Sequence, residues 1–122
     1  MKAASLLLLL ALPVSAIADV VDLNWTGGAF AHKTSIAPKK FLEVCGKLKM
    51  GDGVGWQFKA KAPTDFNIHY HVGKEVTYPV NRKDVALADG MFLVPADQDY
   101  CWMWSNGSAQ PIDIEVELRQ AH

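Results

Sequence analysis

Beyond its first eighteen residues the sequence has no apolar run approaching the roughly 18 residues that a bilayer-spanning helix needs. It has no amphipathic pattern three helical turns long, and no block of like charge. The first absence argues against a membrane span, the second against a helical fold, and the third against a nucleic-acid or anionic-membrane partner. Catalytic signatures are missing as well: serines are few, none lies in a G-x-S-x-G elbow, and glycines at alternate positions in "GDGVG" (51–55) join two apolar segments instead of opening a helix, so they mark a turn and no phosphate cradle. His69 or His71 beside Glu75 would make an acid/base pair, but no nucleophile or oxyanion site accompanies it. The expectation is a protein that binds and does not catalyse.

The opening "MKAASLLLLLALPVSAIADV" carries one lysine, an unbroken apolar run and then Ala16-Ile17-Ala18, the small-x-small pattern of a signal-peptidase site. A signal peptide over 1–18 is expected, with the exported domain over 19–122, in the periplasm or secreted. No cysteine follows the cleavage site to carry a lipid. Removing Lys2 leaves 11 basic and 13 acidic residues, a formal charge of −2. The remaining length suits one domain with a modest core. Cys45 and Cys101 are the only cysteines, and an oxidising compartment favours a bond between them. Closing so long a loop would contribute about 4 kcal/mol on the chain-entropy estimate, although spacing alone does not show that the two sulfurs meet.

From Asp19 onward the pattern has period two. In "PIDIEVELR", Ile112, Ile114, Val116 and Leu118 alternate with Asp113, Glu115, Glu117 and Arg119, as on a half-buried strand. Similar readings fit 20–25, 41–50, 54–61, 66–72, 76–80, 91–95 and 100–105, separated by the turn signals "GDG", "APTD", "VG", "ADG", "PADQD" and "NGS". Seven or eight short strands at this spacing predict an all-β fold, a single antiparallel β-sandwich of jelly-roll-like type. The stretch 26–40, rich in Gly, Ala, Ser and Lys, reads as an exposed connection holding His32. Asn24 and Asn106 each begin a glycosylation-type Asn-x-Thr/Ser triplet.

The faces follow from the alternation. Phe66, Ile68, Tyr70 and Val72 take the core side of their strand, and Asn67, His69 and His71 the outer side. Tyr100, Trp102 and Trp104 go inward, because each large aromatic buries some 150–250 Å², which places Cys101 and Met103 outward. Two imidazoles at H-x-H spacing on a strand stand roughly 6–7 Å apart at the backbone, close enough to chelate one ion. With Met103, and Cys101 if it is not bonded to Cys45, they would form an imidazole and sulfur set that favours copper. A periplasmic copper-binding protein for storage, sensing or delivery to a protein partner is the expectation.

The order Cys45, "GDG", "NIHYHV", "GMF", "YCWMWSN" and "IDIEVEL" resembles the GOLD domain, the β-sandwich of cargo receptors in the early secretory pathway, across most of 41–119. The resemblance implies a sandwich and, as an alternative to copper, a protein-interaction module without metal. Two features depart from the family: its second cysteine stands where this chain has Met103, two residues after Cys101, and its membrane span and coiled coil have no counterpart here. The string "HYHVGKE" is also similar to the H-x-H-x3-E motif of cupins, implying a small metalloprotein with His69, His71 and Glu75 as ligands. That family's flanking glycines are replaced by Pro63 and Arg82, and the histidine of its second motif by Tyr100.

Overall fold

The computed structural model describes residues 19–121. The leader expected over 1–18 lies outside them, as does His122. Seven strands and no helix make up the described chain: β1 (Asp19–Asp22), β2 (Ala29–Ile36), β3 (Phe41–Leu48), β4 (Gly53–Val72), β5 (Glu75–Leu93), β6 (Gln98–Ser105) and β7 (Ile112–Ala121). All join one sheet in the order β1-β3-β6-β4-β7-β2, with β5 on the free side of β4. Every pairing is antiparallel except β1 with β3.

The sheet curls because β4 is long enough to serve two layers. Its first half pairs with β7 through Gly53–Ala60 and its second half with β6 through Asp65–His69, while β5 runs beside both halves. The expected pair of separate sheets is thus one sheet folded over its own core, with the β4–β5 hairpin as the shared spine. The bend falls between Lys59 and Thr64, where the β4–β5 register is interrupted. Pro63 sits there and has no N–H to give to a ladder, and Thr64 turns its hydroxyl back to donate to the Val85 carbonyl at 2.9 Å.

Three sequence expectations are corrected here. "APTD" is the bend inside β4, so the strands expected at 54–61 and 66–72 are one element. "ADG" at 88–90 lies inside β5, which likewise merges the strands expected at 76–80 and 91–95. Gly90 is needed for space: a Cβ there would lie 2.5 Å from the Trp56 ring. Finally, 26–40 contains β2, paired along its whole length with β7. Its pattern was masked because only Phe30 and Ile36 are large inward residues, with His32 and Thr34 between them.

The core is an aromatic chain between the two layers. Phe66 contacts Trp56, Phe58 and Trp104 at centroid distances of 4.8, 4.9 and 5.4 Å, and Phe92 bridges Tyr100 and Trp102 at 5.2 and 5.8 Å. Tyr100, Trp102 and Trp104 point inward as the alternation required. At the open side of the curl, the Arg82 guanidinium covers the Trp56 ring at 5.5 Å, a cation–π contact that seals the aromatic chain from solvent.

Candidate functional site

The outward face of β3, β6 and the second half of β4 collects the chemistry-bearing residues. β3 presents Glu43 and Cys45, β6 presents Cys101 and Met103, and β4 presents Asn67, His69 and His71. Register brings them together in rows. Cys45 stands opposite Cys101 and Glu43 opposite Met103 across β3 and β6, while Cys101 stands opposite His69 and Met103 opposite Asn67 across β6 and β4. Cys45 and Cys101 form a disulfide, with Cα atoms 4.1 Å apart. The expected bond is therefore present as a cross-strand staple on this face.

His69 departs from the expectation of an exposed imidazole, being only 5% exposed. Its neighbours on β4 and β5 cover it. Between the pairs Ile68–Val80 and Tyr70–Thr77, β5 carries one residue more than β4, so Tyr78 and Pro79 share the position opposite His69. The Tyr78 ring lies 5.8 Å from the imidazole, and the His71 ring 5.3 Å from it on the other side.

Both nitrogens of His69 face oxygen. Nδ1 is 2.7 Å from Asn67 Oδ1, to which it donates, and Nε2 is 3.4 Å from Glu43 Oε1, an ion pair when His69 is protonated. Glu43, His69 and Cys101 offer an oxygen, a nitrogen and a sulfur within 4.8 Å of one another, but the sulfur of Cys101 is committed to Cys45. Met103 stands in register with Asn67 and Glu43, one step along the sheet from the histidine row. His71 is exposed, opposite Val76. Of the set expected on copper, the structure places His69, His71, Met103 and Cys101 on one face and engages His69 and Cys101 in other bonds. Glu75 opens β5 opposite Val72, across the hairpin from the histidines, so the cupin-like string straddles a turn.

Glu43, Asn67 and Tyr78 were missed by the sequence reading. Glu43 alternates with Cys45, so its face was legible in "FLEVC". Its meeting with His69 depends on the β3-β6-β4 order, which alternation does not encode. Tyr78 reaches this face in the register of the hairpin, which runs through Val72–Glu75, His71–Val76 and Tyr70–Thr77.

A second surface lies on β5. Among the described residues this strand pairs only with β4, leaving its other edge open. Its first half is defended by Pro79, Arg82, Lys83 and the left-handed Asp84 (φ 55°), whose N–H is held by Asp65 Oδ1 at 3.1 Å. Its second half, 85–93, has one charge, Asp89. There Leu87, Met91 and Leu93 point away from the core at 73%, 61% and 71% exposure. They stand opposite Lys59, Gly55 and Gly53 of β4, and the glycines leave a flat floor beside the apolar row. Asn106, by contrast, is buried: its amide donates to the carbonyls of Ile36 and Gln110 at 2.9 and 2.7 Å. The nitrogen that a glycan would need is therefore enclosed, and the triplet at 106–108 is a structural loop.

These features define an all-β, disulfide-stapled chain with a polar side-chain cluster on one face and an open apolar edge on β5. No family model matches the sequence, and no curated protein matches it. Among solved structures the chain is similar to PliG of Aeromonas hydrophila, a periplasmic lysozyme inhibitor of g-type lysozyme, with a TM-score of 0.64 and 13% identity over 84% of this chain and 96% of that one. PliG of Salmonella Typhimurium, likewise a periplasmic inhibitor of g-type lysozyme, gives a TM-score of 0.61 at 11% identity over 84% of this chain and 99% of that one. At these identities the likeness is one of fold.

Proposed function

We propose that this chain is an exported, non-catalytic protein-binding module whose partner is a lysozyme of the g type. The observation that carries the reading is the extent of the fold match, which takes in nearly the whole of the Aeromonas inhibitor and most of this chain. Three further features support it. The leader-like 1–18 segment and the disulfide suit an oxidising exported environment. The chemistry-bearing cluster holds no activated nucleophile, since its cysteines are bonded to each other. The open half of β5 gives a partner both unpaired backbone groups and an apolar row, the two elements of strand-addition binding.

In this reading Leu87, Met91 and Leu93 anchor the partner while Lys59 and Asp89 border the contact. The experiment is a lytic assay on bacterial cell walls with g-type lysozyme and residues 19–122 carrying the intact disulfide, run beside a lysozyme of the chicken type. Lytic activity is expected to fall in proportion to added protein, with a 1:1 complex on a sizing column. Full activity in molar excess of the protein, with no complex, removes the lysozyme reading. The Leu87→Asp/Met91→Asp variant, if its circular dichroism is unchanged, should bind at least about tenfold more weakly, because losing a buried interface anchor costs 2 kcal/mol or more.

A further inference from the structure

The Glu43, His69 and Cys101 cluster plays no part in partner binding through β5, and its arrangement has a chemistry of its own. His69 Nδ1 donates to Asn67 Oδ1 at 2.7 Å. With Nδ1 donating there, neutral His69 presents the Nε2 lone pair, the orientation that metal-ligating histidines receive from an outer partner. Nε2 is aimed at Glu43 Oε1, 3.4 Å away. With Nε2 unprotonated, its lone pair and the carboxylate oxygen present two ligand atoms to a cation. The distance also fits an edge of a tetrahedral site, which is about 3.3 Å for ligand bonds of about 2.0 Å. A sulfur from Cys101 lies within 4.8 Å of a nitrogen of His69 and an oxygen of Glu43, and the second sulfur, of Cys45, is bonded to it. The disulfide is only half-buried and stands on the outer face, within reach of an attacking thiolate.

We propose that opening the Cys45–Cys101 disulfide converts this face into a site for a thiophilic divalent cation of the zinc type, with Cys45, Cys101, His69 and Glu43 as its ligands. A dithiol supplies the two electrons and two protons: it becomes a disulfide, and Cys45 and Cys101 become thiols. The cation then displaces the two thiol protons to solvent and is held by two thiolates, one imidazole nitrogen and one carboxylate oxygen, whose three negative charges leave the site with a net charge of −1. Two sulfurs with one nitrogen and one oxygen suit zinc better than hard cations, which prefer oxygen alone. Tyr78 and His71 cover the imidazole, while the sulfurs stay open to a reductant. The oxidised chain lacks thiolates and does not form the site, so binding is gated by redox state. The inference stands independently of whether the chain binds a lysozyme.

Cobalt(II) is the probe, added to residues 19–122 either oxidised or reduced with a phosphine that does not chelate the ion. The reduced protein should bind one ion with the intense visible bands of a tetrahedral site and a near-ultraviolet thiolate charge-transfer band. The oxidised protein should show neither. Zinc should displace the cobalt and bleach both signals. Glu43→Gln and His69→Ala should each lower affinity by about tenfold or more while retaining the charge-transfer band, and Cys45→Ser/Cys101→Ser should lose that band. Equal binding by the oxidised and reduced forms, no binding by the reduced form, or unchanged affinity in both Glu43→Gln and His69→Ala overturns the proposal. So does a reduced chain that unfolds and does not recover its near-ultraviolet circular dichroism when cobalt is added.

Discussion

Tyr100 shows how a single residue ties the core to pH. Its ring is fully buried between Phe92 and Tyr70, and its hydroxyl donates to the Ala96 carbonyl at 2.7 Å. Burial penalises the phenolate and is the largest influence on the hydroxyl, which is held above the ordinary value of 10.0. An acid whose folded-state value is raised stabilises the fold fully below its unfolded value and loses that contribution as pH climbs through the folded one. Stability should thus be insensitive to Tyr100 near neutrality and decline above about pH 10. Tyr100→Phe should be less stable at pH 7 by about 1 kcal/mol, for the lost hydrogen bond, with a shallower decline in alkali. Chemical denaturation of both proteins at pH 7 and pH 10.5 checks this. Parallel slopes in the two would mean that Tyr100 does not titrate with unfolding.

Legibility at the residue scale divides along one line. The inward placement of Trp102 and Trp104, the outward placement of Cys101 and Met103, and the shared face of His69 and His71 all follow from alternation. Val72 and Tyr70 depart from it in degree: Val72 is exposed at the hairpin end and Tyr70 is half-buried. Burial of His69 was not legible at all. It comes from Tyr78, which the pairing of β5 with β4 sets beside the imidazole, and strand pairing is not written in alternation.

At the scale of elements, the long hairpin is the feature that turn chemistry misread. Gly90 and Pro63 are turn residues by frequency, yet one sits in a strand for lack of space and the other at a bend where no ladder N–H is required. The two causes predict different tolerance. Gly90→Ala must displace the Trp56 indole, which lies 2.5 Å from the new methyl and is itself packed on Phe58 and Phe66. The change should cost about 2–3 kcal/mol, typical of overpacking. Gly55 is in the same hairpin on the opposite, outward face, where an added Cβ meets the Met91 terminal methyl at an ordinary 3.6 Å. Gly55→Ala should change stability by less than about 1 kcal/mol and gain from reduced freedom of the unfolded chain. Urea midpoints of the two variants measure the contrast, and equal losses would remove the claim that Gly90 is a space requirement. β2 was hidden for a third reason, since Ala29, Ala31 and Ser35 dilute its alternation and β7 decides its pairing.

For the whole molecule, the strand order sets where the covalent staple acts. Cys45 and Cys101 join β3 to β6, and the 56-residue separation between them contains all of β4 and β5. The staple therefore ties the sheet around the hairpin that serves as its spine, while β2 and β7 lie outside the closed loop. In the chain-entropy account a loop of this size is worth about 4 kcal/mol, a large part of the 5–15 kcal/mol typical of a small domain. The double variant Cys45→Ser/Cys101→Ser should lose about that amount in urea, with the slope against denaturant slightly raised because the unfolded chain expands further once the loop is released. The loss should appear mainly as a change in the unfolded state, leaving the near-ultraviolet spectrum of the folded variant intact, since Trp102 and Trp104 are packed by Phe92, Phe58 and Phe66 and not by the sulfurs. A variant that loses its aromatic signal without denaturant would instead make the disulfide a condition of the native packing, and would place the curl of the sheet under the control of the redox state of Cys45 and Cys101.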